Sequence, residues 1–333
     1  MSEKPGRNLG MELVRVTEAA ALAAARWMGR RQKEPGDQAA VDGMRLMLDT
    51  VDMDGIIVIG EGEKDQAPML FNGERVGNGD GPATDVAVDP VEGTRLLAHG
   101  KPNAIAVIAV APRGMMWNPG PGFYMEKIAV GPAAKDAIDL EAPISDNLRN
   151  VARALGKDVT DLTVFALERP RHDQLISEIA HAGARVALHE DGDVAGALMA
   201  ALDTSSVDMM INIGGTPEGV ISACAIKALG GQMLGRLAPQ SPAEQEALHA
   251  AGLDTKRILT VDDLVRTNDV FFAATGITSG RLLRGVRYES GQARTYSLVI
   301  RGLSGTIRYL ESIHRWEKLM NISAIDYTQF PIE

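Results

Sequence analysis

Cysteine is almost missing from this chain: Cys224 is the single one in 333 residues, so no disulfide can close within it. Its setting, VISACAIKALGG, has helical spacing, which makes it a packing residue rather than a nucleophile. Long apolar runs are missing too. The longest, Ala104 to Pro112, falls far short of the roughly 20 residues of a membrane helix, and the opening MSEKPGRNLG has no apolar signal segment. A cytoplasmic protein is expected. Positive charge is in deficit, with 34 Lys+Arg against 44 Asp+Glu and a formal net charge of −10. That balance disfavours nonspecific binding to nucleic acid or to an anionic membrane, although a few placed arginines can still bind phosphate locally. The six histidines, at 99, 172, 181, 189, 249 and 314, form no H-E-x-x-H and no close pair. A zinc hydrolase is therefore not expected, and each histidine reads as a surface or cap residue. The glycine-rich stretch FNGERVGNGDGPATD lacks the G-K-[ST] of a nucleotide P-loop and reads as a mobile connection.

Aromatic residues make up only 4%, yet with 45% hydrophobic content the chain can build a large core, and its length suggests two lobes. Leu13, Val14, Thr17, Ala20, Ala21, Ala24 and Met28 recur at helical spacing and predict a long helix over 9–31. GDQAAVDGMRLMLDTV predicts a second. IIVIG at 56–60 reads as a buried strand delivering Glu61 to its end, and NAIAVIAVAP and YMEKIAV as further strands of the first lobe. From Leu162 the pattern becomes strand–helix–strand: LTVFALE, HDQLISEIAHAG, ARVALHE, DVAGALMAAL, VDMMINIG and a helix after Pro217. The predicted division is residues 1–160, a metal-binding lobe, and 161–333, an α/β lobe with sugar-phosphate contacts. Its boundary is soft, and the C-terminal segment can rejoin the first lobe. TIRYLESIHRW is compatible with helix or strand.

What the chain does have is carboxylate beside glycine: Asp37 in PGDQAAV, Glu61 in IGEGEKDQAPM, Asp89 and Glu92 in DPVEGT, and Glu218 in GGTPEGV. Hard divalent cations take carboxylate oxygens, and a phosphate ester gives up its alcohol readily only when such charge neutralises it. In TDVAVDPVEGT, Val86 and Val88 alternate as in a strand, Pro90 is expected to end the ladder at Asp89, and Gly93 to turn the chain and expose Thr94. An acidic turn capping a helix near Thr94 is the plainer alternative. Asp37 serves equally well as an N-cap or as a ligand. In GGTPEGV, Gly214 and Gly215 can aim amides at an anion with the helix dipole behind them, although such turns are also simply structural. Arg169 and Arg171 flank Pro170 as a preset fork for phosphate, with solvated arginines as the alternative.

D-P-x-[DE]-G-T is the signature of the lithium-sensitive, metal-dependent phosphatases, which include the fructose bisphosphatases and inositol monophosphatases. The further stretches YMEKIAVGPAAK, DNLRNVARALGK, RPRHDQLISEI, DGDVAGAL, GTPEGVISA and ATGITSG resemble the class II fructose-1,6-bisphosphatases, in order and along nearly the whole chain. The resemblance implies a layered α-β-α-β-α sandwich of the sugar phosphatase type. It also implies hydrolysis of the C1 phosphate of fructose 1,6-bisphosphate with Mg²⁺ or Mn²⁺, and a homo-oligomer, dimer or tetramer. It assigns Asp37, Glu61, Asp89, Glu92 and Glu218 to metal. For catalysis beside Glu61, Asp65 lies just past the ligand strand and is the candidate to orient or deprotonate the water with help from the Thr94 hydroxyl, a surface loop acid being the plainer alternative. Substrate contacts fall to Glu92, Gly93, Thr94, Tyr124, Arg169, Pro170, Arg171, Asp191, Gly192, Asp193 and Gly215. One departure stands out, since Arg169 occupies a position that is lysine in one common family form, which bears on substrate affinity rather than reaction type. Three alternatives stay open: a dual fructose-1,6-/sedoheptulose-1,7-bisphosphatase, a more remote inositol or nucleotide phosphatase, and a non-catalytic sugar-phosphate sensor.

Overall fold

The computed structural model describes residues 8–62, 69–321 and 325–327, and its elements stack as helix, sheet, helix, sheet, helix. This is the expected layered α/β sandwich. The first layer pairs α1 (Gly10–Ala24) with α2 (Lys33–Leu48), which approach closely because Gly43 leaves no Cβ to meet Ala19 O. Sheet 1 has eight strands. Its order is β12 (Arg287–Glu289), β13 (Gln292–Arg301), β11 (Phe271–Gly276), β4 (Ile105–Pro112), β3 (Ala83–Glu92), β1 (Asp54–Ile59) and β2 (Arg75–Val76), with β14 (Thr306–Arg315) paired to β13. Sheet 2 runs β10 (Leu259–Thr260), β9 (Gln232–Leu237), β5 (Tyr124–Val130), β8 (Met209–Gly215), β6 (Thr163–Leu167) and β7 (Arg185–His189). Between the sheets lie α6 (Val194–Ala201) and α7 (Thr216–Leu229), and α4 (Ile144–Leu155) and α5 (Asp173–His181) cover the far face of sheet 2. The short helices α3 (Thr94–His99), α8 (Pro242–Ala250), α9 (Val261–Leu264) and α10 (Trp316–Leu319) complete the chain.

The apolar pattern explains the layers. Strand β4 reads IAVIAVA because both its faces are covered: Ala106, Ile108 and Val110 pack toward α1 and α2, while Ile105, Val107 and Ala109 pack toward the middle helices. Every residue of α6 is buried, as a helix apolar on all sides requires. Gly196 brings it against Phe165, whose ring carbon Cδ1 would lie 2.5 Å from a Cβ there. Cys224 is buried on α7, in its packing role.

Several local readings change. Helix α1 stops at Ala24 and passes into a 3₁₀ turn at Ala25–Trp27 rather than running to residue 31. Tyr124–Val130, expected in the first lobe, pairs with β8 and β9 of sheet 2, and residues 271–315 return to sheet 1. The glycine-rich stretch is pinned, not mobile: it contains β2, and Asn78 N and Gly79 N donate to Val51 O and Met53 O. TIRYLESIHR is a strand, followed at Trp316 by a short helix. Among the described residues no helix is long and apolar enough to cross a membrane.

Candidate active site

Both sheets and the middle helices open onto one cavity of about 690 Å³. Strand β3 supplies its floor. Contrary to expectation, the strand does not stop at Pro90 but runs to Glu92, with a register shift opposite β4 between Asp89 and Glu92. The proline sits inside that irregularity, where its missing N–H removes no ladder bond. Val91 N donates to Asp89 Oδ1 at 3.0 Å, fixing that carboxylate. Gly93, at φ 89°, then turns the chain into α3, whose first residue Thr94 faces the cavity.

Glu92 crosses to the middle layer. Its Oε1 accepts from Asp193 N at 2.7 Å and Val194 N at 2.9 Å, where α6 begins, and Gly192, at φ 74°, keeps a side chain off it. Glu218, in the first turn of α7, folds back over Gly215, where any Cβ would overlap its carboxylate. Thr216 N donates to Phe123 O, and the anion that folds back on this helix end is Glu218 itself. Glu61 follows β1, and Asp37 reaches the cavity from inside α2, whose cap position is Gln32, so Asp37 is not a helix cap.

Ligand oxygens of Asp89, Glu92 and Glu218 lie within 4.8 Å of one another. Burial, followed by Asp37 and Glu218, pushes Glu61 up to about 7. Glu92 is pushed up to about 8 by burial and then by Glu218 and Asp193. Burial also holds Asp89 well above the carboxylate range, reinforced by Glu92, Glu61 and Glu218. Asp37 and Glu218 are raised by burial as well, with Lys33 and Lys127 respectively opposing. Glu218 Oε2 is buried without a hydrogen-bond partner. A set of oxygen-only donors that repel each other, one of them orphaned, fits a hard divalent cation.

The opposite wall carries Arg169 and Arg171 around a 3₁₀ turn, Pro170–His172, after β6. Arg169 pairs with Asp191 at 2.7 Å, and Arg171 donates twice to Ile213 O, at 3.1 and 2.7 Å, with its guanidinium 5.3 Å from the Tyr124 ring centre. Pro170 shapes the turn without lining the cavity. Asp191, Gly192, Asp193, Gly215 and Tyr124 all line it, and Asp65 lies outside the described residues.

Three kinds of residue escaped the sequence reading. Lys127 is wholly buried and donates to both oxygens of Asp193, at 2.9 and 2.8 Å, and to Gly215 O at 2.8 Å. Asp193 thus stands at the cap position of α6 but makes no capping bond. A lysine inside the apolar strand YMEKIAV was the available signal. His172 is only 1% exposed, not a surface residue, because the turn after β6 tucks it between β6 and β8. Its Nε2 accepts from Ile213 N at 2.8 Å, so Nδ1 carries the proton given to Leu167 O at 2.7 Å, and burial lowers its pKa to keep it neutral. Lys33 and the 65% exposed Phe123 form part of the rim, with nothing in their spacing to mark them.

A pocket of mutually repelling acids accepts an anion only through a cation, and arginines across from it suit phosphate; fold and site together define a metal-dependent phosphatase. Residues 7–314 match the family described as "Bacterial fructose-1,6-bisphosphatase, glpX-encoded", and the chain belongs to that family. It is 50% identical over 321 residues to fructose-1,6-bisphosphatase 1 class 2 of Escherichia coli (strain K12), covering 92% of this chain and 95% of that protein. The same figures hold for the fructose-1,6-bisphosphatase class 2 proteins of Escherichia coli O6:H1 and Shigella flexneri.

Proposed function

We propose that this protein hydrolyses fructose 1,6-bisphosphate at C1, giving fructose 6-phosphate and inorganic phosphate. Mg²⁺ or Mn²⁺ would be held by Asp89, Glu92 and Glu218, with Glu61 and Asp37 beside them. The observation that carries this reading is the convergence of acids from sheet 1, α2 and α7 on one cavity, in a chain half identical to proteins named for that activity. When bound, such an ion polarises the phosphate oxygens and offsets charge on the departing alcohol oxygen.

The chain's own groups take the remaining tasks. Thr94 holds a phosphoryl oxygen from the start of α3. Asp65 is the acid that orients the attacking water; as water adds to phosphorus in line, the bond to the C1 oxygen breaks and that oxygen takes up a proton. Arg169 and Arg171 hold the distal phosphate, Arg171 exchanging its bonds to Ile213 O for phosphate oxygens. Tyr124, Asp191 and Asp193 face the sugar between the two ends.

Phosphate release from fructose 1,6-bisphosphate, measured with Mg²⁺ or Mn²⁺ beside sedoheptulose 1,7-bisphosphate, an inositol phosphate and an EDTA control, tests this. Turnover of the first that EDTA abolishes is the expected outcome, and comparable rates on the seven-carbon ester widen the substrate range. Metal binding without release from fructose 1,6-bisphosphate overturns the reading.

A further inference from the structure

A second cavity, of about 390 Å³, lies between α1, the C-terminal end of α2, β14 and α10, and shares no residue with the catalytic one. Its size falls within the range of small-molecule sites, roughly 300–1,000 Å³. Ala19, Leu22, Leu46, Met47 and Leu319 give it apolar walls. Most of its polar groups are already engaged. Thr50 Oγ1 donates to Met47 O at 2.8 Å. Arg15, the only guanidinium or ammonium on the lining among the described residues, pairs with Glu12 at 2.5 Å and donates to Met47 Sδ at 3.4 Å.

Glu18 is the exception. It lines the cavity from α1 and is only 7% exposed. Thr295 Oγ1 donates to Glu18 Oε1 at 2.8 Å, and because that hydroxyl has a single proton, His314 Nε2, 2.8 Å from the same Oγ1, is the donor to it. His314 and Thr295 therefore both direct their protons toward Oε1. No hydrogen bond from a described residue reaches Oε2. The His314 ring stands 3.8 Å from Oε1, and burial, opposed by Glu18, lowers its pKa and keeps it neutral. A buried carboxylate thus faces an apolar cavity with one oxygen unused and no cation committed to it, and a buried charge is costly unless it is paired.

We propose that this cavity binds an organic ammonium compound with an apolar body, whose N–H groups donate to Glu18 Oε2 while its chain or ring lies against Leu22, Leu46 and Leu319. The site's chemistry selects that class. An anion would meet Glu18 with no free positive group to hold it, and a neutral apolar ligand would leave the carboxylate unpaired. One carboxylate offers too few oxygens for Mg²⁺ or Ca²⁺. The proposal does not depend on the reaction carried out in the other cavity.

Isothermal titration calorimetry on the full chain tests it, in saturating Mn²⁺ so that the acids of the catalytic cavity are occupied. The probes are tryptamine and hexylamine, beside tryptophol and indole-3-acetate, which keep the indole of tryptamine but remove or reverse its charge. The amines should bind, with tryptophol and indole-3-acetate at least tenfold weaker than tryptamine. Glu18→Gln keeps the side-chain length and the acceptor for Thr295, and should weaken tryptamine at least tenfold. Leu46→Trp, at a position already 38% exposed, should fill the mouth and weaken tryptamine to the same degree at an unchanged circular-dichroism melt; it locates the ligand even where Glu18→Gln does not fold. Phosphate release without amine should be the same in Leu46→Trp as in the parent chain. The proposal is overturned where neither amine binds, where tryptophol binds as tightly as tryptamine, or where either folded variant leaves amine binding intact.

Discussion

Lys127 is wholly buried, and its ammonium touches the residues that open both middle helices. Asp193 precedes α6 and Gly215 precedes α7, so one cation ties together the helix ends that receive Glu92 and carry Glu218. Replacing it with methionine keeps the length but leaves Asp193 with Asn212 alone, 3.3 Å away. A buried carboxylate stripped of its partner costs about 3–5 kcal/mol. Urea unfolding of Lys127→Met should show a loss of that order, while Lys127→Arg, which keeps the charge, should lose less. The lysine was visible in the sequence as an anomaly within an apolar strand. Its partner was not, because the two lie 66 positions apart and spacing carries no information across that distance. His172 was misread for a related cause: burial follows from the turn around Pro170, which composition does not describe.

Helix α7 begins at a glycine whose role is one of space. Gly215 has φ −65° and ψ 138°, angles any residue adopts, but a Cβ would overlap the Glu218 carboxylate. Gly215→Ala should therefore displace Glu218 without straining the backbone. The Mg²⁺ or Mn²⁺ concentration for half-maximal activity should rise at least tenfold, and unfolding free energy should change by no more than about 1 kcal/mol. Equal metal dependence in the variant would show that Glu218 is not needed for the ion. The acids themselves were legible as glycine-flanked patches, and Thr94 as the residue after the turn. The elements that bear them were less so. Asp37 read as a possible N-cap of the second helix, yet proline is tolerated in the first turn of a helix and α2 starts at Lys33 and runs through Pro35 and Gly36. Pro90 read as a strand end because a bulge, which excuses the missing donor, leaves no mark on the sequence.

Taken together, the acids make the metal-free protein sensitive to pH. With Glu61 at about 7 and Glu92 at about 8, against an ordinary 4.5, the folded state holds protons that the unfolded chain has released. Their contribution is complete below about 4.5 and is lost as pH rises through 7 to 8. His189, lowered to about 4 by burial and then by Arg281, works in the opposite sense between 4 and 6.5, so the clean window lies above it. In EDTA the melting temperature should fall between pH 6.5 and 8.5, and excess Mn²⁺ should raise it more at 8.5 than at 6.5. A metal effect independent of pH would place the ion away from these acids. The alternation of strand and helix was enough to anticipate layers, but not which strands share a sheet, since periodicity records burial and not neighbours.

That arrangement bears on how the chain is made. Val110 at the middle of sheet 1 lies opposite Phe271, and every strand of sheet 2 falls between them in the sequence. A ribosome must therefore finish the second sheet before β4 can meet its partner on that side, and until then an apolar strand buried on both faces in the finished protein stands half unpaired. Pairings so distant in sequence fold slowly. The growing chain depends on the stretch between β4 and β11 forming promptly, and a nascent chain halted before residue 271 would carry an open seam through the centre of its larger sheet.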